Sequence, residues 1–286
     1  MTATTTSGTT VPAGDTGTAV RSRGAAGAAA FRGLILRDIA VLRRQIHIFL
    51  ARTVVQPLLL VFVFAHVFPQ IAQGVGGATG ASRFTNVLVP GVVALAIVIN
   101  GVQAVAVNLV GEIGHEREIN DRVLAPLPVS VVALEKILYG AMEGLLAGLV
   151  VFPIAAVIPA TPFALDPTWP VLLTVIPLAC LASAALGLAL GTAMQPRSLT
   201  FLFNIVLLPL TMLGGLFYSW SDLETIPWLQ VAVLLNPLTY MSEGLRAALV
   251  TDVGHLPLMA VYVPLAVFAV GFTMIGVRGF RRRVLG

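Results

Sequence analysis

The feature that most limits how this chain can fold is a series of long apolar runs with almost no charge. Each run, such as that from Val87 to Gly111, is long enough to cross a hydrocarbon core of about 30 Å as a helix. Helices are required because lipid offers no partners for backbone N–H and C=O groups. The sequence predicts an all-α, polytopic membrane protein with six transmembrane helices, at Thr53–Pro69, Val87–Gly111, Val132–Pro159, Trp169–Met194, Leu199–Phe217 and Leu258–Val277.

The overall composition excludes a large soluble domain. Of 286 residues, 57% are hydrophobic and 10% are charged, whereas soluble domains carry about 25% charged residues. Cys180 is the single cysteine, so a disulfide framework and a multi-cysteine metal site are both excluded. The four histidines lie in separate segments without an H-E-x-x-H motif. We therefore expect no metal on this chain.

Two elements are predicted before the first span. Residues 1–30 are rich in Thr, Gly and Ala, which is typical of a disordered cytosolic tail. From Phe31 to Leu50, apolar residues and arginines take opposite faces of a helix, with Asp38 on the wrong face. An amphipathic helix of this kind lies in the membrane interface. We thus expect a tail at residues 1–30 and one transmembrane domain at 31–286.

The distribution of positive charge predicts the orientation. All but three of the 17 Lys and Arg residues fall on one side of a six-span arrangement; the exceptions are Arg52, Arg83 and Arg246. Basic residues are enriched in cytoplasmic loops. Both termini are therefore predicted to be cytosolic, in a multi-pass protein of the cell membrane.

The segment Tyr218–His255 does not fit a simple span. Pro227 and Pro237 suit the first turns of two short helices, and the segment carries the interfacial aromatics Trp220, Trp228 and Tyr240. We predict a re-entrant pair in the outer leaflet, because a crossing pair would place Glu243 and Arg246 deep in lipid. These two residues are three apart and can pair on one helix.

The sequence also limits catalysis. The only lysine is Lys136, in the context LEKIL, so the chain has no G-x-x-x-x-G-K-[ST] loop for ATP. It has no G-x-S-x-G motif either. We therefore expect that the chain is not an enzyme.

A densely charged loop follows the second span. Pro126 and Pro128 then turn the chain stiffly into the third span. Two interpretations remain open for this loop: a solvated connection, or a rigid helix that docks a soluble partner. Its docking residues would be Glu112, Glu116, Arg117, Glu118, Asp121, Arg122 and Leu124.

Three blocks of sequence carry a resemblance to a known family. HEREINDRVLAPLPVSVVALEKIL is similar to the coupling segment of ABC-2 type permeases, and LVPGVVAL is similar to the start of their second helix. GGLFYSW and IPWLQVAVLLNPLTYMSEGLRAAL resemble their signature before the last span. The chain thus resembles the membrane subunit of a bacterial ATP-binding-cassette exporter, of the daunorubicin-resistance-like kind. The signature residues are Pro227, Trp228, Asn236, Pro237, Tyr240 and Arg246.

The resemblance implies an assembly and a task. Two permease copies, or a permease and a paralogue, would work with two ABC ATPase subunits, which bind the ATP and Mg. The coupling helix would match about Glu112–Leu124, and the re-entrant helices Ile226–Val250. Ile119 and Asn120 stand where many members have Gly-Thr. The family exports drugs, antibiotics, lipids and lipid-linked polysaccharides. We expect a hydrophobic drug-like or lipid-like substrate, with a polysaccharide or glycolipid as the alternative.

Polar residues inside the spans are the candidates for a transport path. Asn100, Gln103 and Asn108 fall within an arc of about 140° on the second span. This face either lines a cavity or makes interhelical hydrogen bonds. The fifth span adds Phe201, Asn204 and Met212, which suit a bulky apolar substrate but would also suit a lipid-facing helix.

Glu143 is an intramembrane charge in the third span. Such a charge is functional or paired by default, so a role in transport and a structural partnership both remain open. Two rival functions of other classes are a membrane-embedded lipid transferase and an ion-coupled secondary transporter. The first should show clustered Asp or His, whereas the densest acidic cluster, Glu112–Asp121, is interleaved with Arg. The second should show inverted repeats with broken helices in both halves, whereas the only broken region in the sequence lies near the last span.

Overall fold

A computed structural model describes residues 23–71, 77–114, 129–194 and 202–285. Most of these residues are helical, with no strand among them, so the predicted all-α class is confirmed. The coupling segment lies mostly outside the described residues. The α-helices are α1 (Arg23–Arg44), α2 (Ile46–Val61), α3 (Phe68–Ile71), α4 (Gly77–Gly114), α5 (Val129–Val157), α6 (Trp169–Ala193), α7 (Leu208–Met212), α8 (Pro227–Ala232), α9 (Pro237–Leu249) and α10 (Leu258–Leu285).

Five helical stretches in the described part of the chain are long and apolar enough to cross a membrane. They are Ile46–Ile71, Gly80–Gly111, Val129–Val157, Trp169–Ala193 and Leu258–Arg283. The predicted fifth span is described only from Leu202, as a π-helix to Leu207 followed by α7. The chain leaves the helix after Met212, five residues before the predicted end. Whether this segment spans the membrane stays a prediction.

The boundary before the first span differs from the prediction. Helix α1 begins at Arg23, inside the predicted tail, and ends at Arg44 rather than Leu50. Gln45 leaves the helical region with φ −109° and ψ 19°, and the first span then starts at Ile46 rather than Thr53. The break falls where Arg43, Arg44 and Gln45 end the amphipathic pattern and Ile46–Leu50 begins a more apolar run.

Helix α4 forms the centre of the bundle. In its most apolar 18-residue stretch, 78% is buried inside the bundle. The corresponding share is 28% for the first span and 17% for the last. Small residues let its neighbours approach closely. A methyl group added at Gly187 of α6 would lie 2.7 Å from the Val102 carbonyl oxygen, and one at Gly144 of α5 would lie 3.1 Å from that of Ile97. Backbone thus packs directly on backbone along α4.

The segment between α7 and α10 contains the predicted pair of short helices. Pro227 and Pro237 stand in the first turns of α8 and α9, as the pattern predicts. Helix α9 is buried against α4, α6 and α10 along nearly its whole length. By contrast, Trp228 on α8 is 72% exposed. The bundle therefore encloses α9, and its charges face protein rather than lipid.

Candidate functional site

Arg246 and Glu243 form a fully buried ion pair at the centre of the signature segment. Arg246 Nη1 donates to Glu243 Oε1 at 2.6 Å, and both side chains have no exposed surface. Burial lowers the pKa of the Arg246 guanidinium, and the neighbouring Glu243 carboxylate opposes that shift. The predicted pairing is present. It lies inside the protein, so neither charge of this pair faces lipid.

The pair also joins three remote segments through backbone groups. Arg246 Nε and Nη2 donate to the Val87 carbonyl oxygen of α4 at 3.3 and 3.4 Å, and Nη2 donates to the Gly215 carbonyl. The Glu243 carboxylate accepts from the backbone N–H groups of Trp220 and Leu256, at 2.8 and 2.9 Å. One ion pair therefore ties α9 to α4, to the turn after α7 and to the start of α10.

The remaining signature residues shape the entry into α9. Asn236 caps this helix, since its side-chain oxygen accepts from the Leu238 N–H at 2.9 Å. Its Nδ2 group donates to the Leu210 carbonyl of α7 at 2.7 Å. Tyr240 Oη donates to the Leu234 carbonyl at 2.8 Å. These bonds fix α9 against the end of the predicted fifth span.

The turn after α7 is packed tightly against α4. Gly215 has φ +70°, a left-handed conformation that favours glycine. A methyl group at Gly91 of α4 would lie 2.8 Å from the Leu216 carbonyl oxygen. Arg83 and Asp222 add an exposed ion pair of 2.7 Å near the same end of α4. This end of the bundle is therefore closed by backbone contact.

The predicted path residues on α4 have different environments. Asn100 is buried, accepts from Thr53 Oγ1 of α2 at 2.8 Å and donates to the Ala96 carbonyl. Asn108 is exposed and donates within α4 to the Ala104 carbonyl at 2.7 Å. Gln103 is half-buried between them. Asn100 therefore joins two helices, whereas Asn108 and Gln103 remain accessible from one face.

Glu143 of α5 meets two side chains. Arg52 Nη2 of α2 donates to Oε2 at 2.8 Å, and Tyr139 Oη donates to Oε1 at 2.5 Å. The glutamate side chain is 4% exposed, whereas that of Arg52 is 44% exposed and stacks over the Phe49 ring. The buried carboxylate therefore orients a positive charge on the accessible face of α2.

The first span and the predicted fifth span share an irregular geometry. Phe62–Val67 in the first and Leu202–Leu207 in the fifth are both π-helices, a form frequent at functional sites. The rings of Phe64 and Phe217 lie 4.9 Å apart, so the π-helix of the first span contacts the last residue of the predicted fifth span. Met212 is exposed. Phe201 lies outside the described residues, and so does the side chain of Asn204.

The coupling segment is described only at its start. Glu112 belongs to the last turn of α4, so the helix of the second span continues into the charged loop. Glu116, Arg117, Glu118, Asp121, Arg122 and Leu124 lie outside the described residues. Their docking role stays a prediction. Among the residues that the structure describes, no group of His, Cys, Asp or Glu could hold a metal ion.

Sequence reasoning did not identify the partners of Asn100 and Glu143. Thr53 and Arg52 carried no motif, although each contacts a predicted site residue. The sequence also did not indicate that the Glu243 carboxylate accepts hydrogen bonds from backbone N–H groups. Helical spacing relates residues on one helix, and these contacts join helices remote in sequence.

Comparison with known proteins gives two findings. The family model for the ABC-2 type transporter matches residues 29–250. The chain is also 30% identical over 237 residues to the inner membrane transport permease YadH of Escherichia coli strain K12. The matched region covers 81% of this chain and 90% of that protein. The permease of the same name from Shigella flexneri matches equally.

Proposed function

The chain belongs to the ABC-2 type transporter family, and from this premise we propose that it exports a hydrophobic drug-like or lipid-like molecule. As a membrane permease of an ABC transporter, it takes its energy from a separate ABC ATPase subunit. In our proposal it works as a dimer of two copies, with both termini in the cytoplasm.

The single observation that carries the substrate class is the accessible face of α2 and its π-helix. Val55, Leu59 and Phe62 are exposed along this face, and Arg52 is the charge at its cytosolic end in our orientation. A face with this pattern suits an amphiphile or a large apolar molecule with one polar end. A glycan path would instead present several aromatic and polar side chains, and this face has few.

The mechanism follows from the stiffness of the connections. Partner ATPases that close on ATP would push the segment from Glu116 to Leu124. Because Glu112 continues α4, this push would move α4 as a rigid body. The end of α4 near Val87 is held by Arg246, so the movement would act on the turn after α7. The accessible faces of α2, α4 and the predicted fifth span would then open towards the outside.

The first experiment is an affinity pull-down of the tagged chain from native membranes in mild detergent. We expect an ABC ATPase to co-purify in near-stoichiometric amount, and hydrophobic drugs or lipids to stimulate its ATP hydrolysis. A chain that elutes without any ATPase would contradict the proposed assembly. Stimulation by lipid-linked glycans alone would contradict the proposed substrate class.

A paired variant tests the coupling segment. Glu116→Ala with Arg117→Ala should abolish ATPase association and export. The matched control is Arg83→Ala with Asp222→Ala, which removes an exposed ion pair near the other end of α4. Export and ATPase association that survive in the first variant would show that the coupling mechanism is wrong.

A further inference from the structure

A second accessible feature of the bundle lies away from the proposed transport path. A groove of about 520 Å³ runs between α5, α6 and α10, with Phe31 of α1 at its edge. Its lining includes Leu134, Leu138, Ala269 and Met274, and Thr273 is the only polar lining residue. No lining residue belongs to α2 or α4. This volume is within the range of about 300–1,000 Å³ typical of ligand sites.

One end of this groove leads to exposed arginines. Arg278 and Arg281 follow the groove-lining residues of α10 and are both exposed. At about 100° per residue, Arg281 falls between Val270 and Met274 in direction, and Arg278 lies about 40° beyond Met274. The two guanidinium groups therefore continue the groove face, about 6 and 10 Å along the axis from Met274.

The same end of the bundle contains the start of α5. Phe280 and Val277 of α10 pack in one apolar cluster with Val129 and Val132 of α5. The groove residues of α5, from Val131 to Leu138, therefore lie next to the basic end of α10. Within the described ranges, Arg278 and Arg281 form no ion pair. Their charges are available to a ligand.

We propose that this groove binds an anionic phospholipid as a resident ligand, with its acyl chain along α5, α6 and α10 and its phosphate at Arg278 and Arg281. The apolar lining matches an acyl chain, and the guanidinium groups match a phosphate geometrically. Basic pockets between membrane helices bind anionic headgroups in this way. The lipid would join α1 to α5 and α10 at the edge of the bundle.

The test uses the purified full chain in neutral detergent, titrated with phosphatidylglycerol or with phosphatidylcholine of the same acyl chains. Native mass spectrometry counts the bound lipids, and thermal unfolding measures their effect. We expect one retained phosphatidylglycerol and a higher Tm with that lipid only. Equal retention of phosphatidylcholine would overturn the proposal.

Two variants separate the groove from general charge attraction. Arg278→Gln with Arg281→Gln should weaken phosphatidylglycerol binding about 25-fold, since each basic residue near anionic lipid contributes about fivefold. The matched control, Arg43→Gln with Arg44→Gln, removes equal charge from exposed positions at the C-terminal end of α1 and should leave binding unchanged.

Val270→Trp tests the acyl-chain part of the site. Val270 is exposed and lines the groove, so a tryptophan can fill it without entering the core. We expect this variant to fold, keep both arginines and lose the retained lipid. Retention of the lipid would show that surface charge alone holds it, which would overturn the proposal that the groove binds the acyl chain. A changed oligomeric state in Val270→Trp would assign the groove to a second copy, which also overturns the proposal.

Discussion

Replacing Glu243 by glutamine should strongly destabilise the protein. Its carboxylate is fully buried, faces Arg246 at 2.6 Å and accepts from two backbone amides. The variant leaves a buried guanidinium without a counter-charge, which destabilises a protein by about 3–5 kcal/mol. At roughly 2–4 °C per kcal/mol, the Tm should fall by about 6–20 °C.

A double variant separates the ion pair from the backbone bonds. In Glu243→Met with Arg246→Met, no buried charge remains, and such replacements are often neutral or stabilising. Here the amides of Trp220 and Leu256 would lose their acceptor, at about 1–3 kcal/mol each. We therefore expect the double variant to be less stable than the wild type by about 2–6 kcal/mol.

The assay is thermal unfolding in detergent, monitored by intrinsic tryptophan fluorescence. Trp220 reports directly, because its backbone N–H bonds to Glu243. Glu224→Gln is the matched control, since Glu224 is an exposed carboxylate in the same segment and should change stability by less than about 0.5 kcal/mol. A double variant as stable as the wild type, or a Glu243→Gln variant with an unchanged Tm, would refute the reasoning.

Three further predictions use the same unfolding assay, and the last of them also uses an export assay. Gly187→Ala should lower the Tm because its methyl group would lie 2.7 Å from a backbone oxygen of α4, whereas Gly271→Ala, with nothing within 4 Å, should not. Tyr139→Phe should destabilise the protein by about 1.5–3 kcal/mol by removing the hydroxyl that donates to Glu143. Asn100→Ala should lower the free energy of unfolding by only about 0.6 kcal/mol, because it removes one interhelical hydrogen bond. It should leave export intact.

Each of these predictions has a contrary outcome. The same Tm for Gly187→Ala and Gly271→Ala would show that the α4–α6 contact tolerates a methyl group. An unchanged Tm in Tyr139→Phe would mean that Arg52 alone stabilises Glu143. Loss of export by a stable Asn100→Ala variant would give Asn100 a role in the transport path.

Much of the fold follows from the sequence because hydropathy acts locally. An apolar run in lipid must be helical whatever it packs against. Five of the six predicted spans therefore recur as helices long and apolar enough to cross a membrane, four of them with similar bounds. Pro227 and Pro237 placed the short helices correctly for the same reason, because a proline ring restricts its own backbone. The start of the first span was misplaced, since one pattern covered both α1 and the beginning of α2.

The family too was readable from the sequence, because its signature blocks are contiguous. The contacts of those blocks were not. Arg246 reaches a carbonyl 159 positions away, and Arg52 reaches Glu143 across 91 positions. The sequence by itself determined a helical membrane permease with two short helices before its last span. Only the tertiary structure decided which backbone groups and charges meet, because those distances depend on how α4, α5 and α9 pack together.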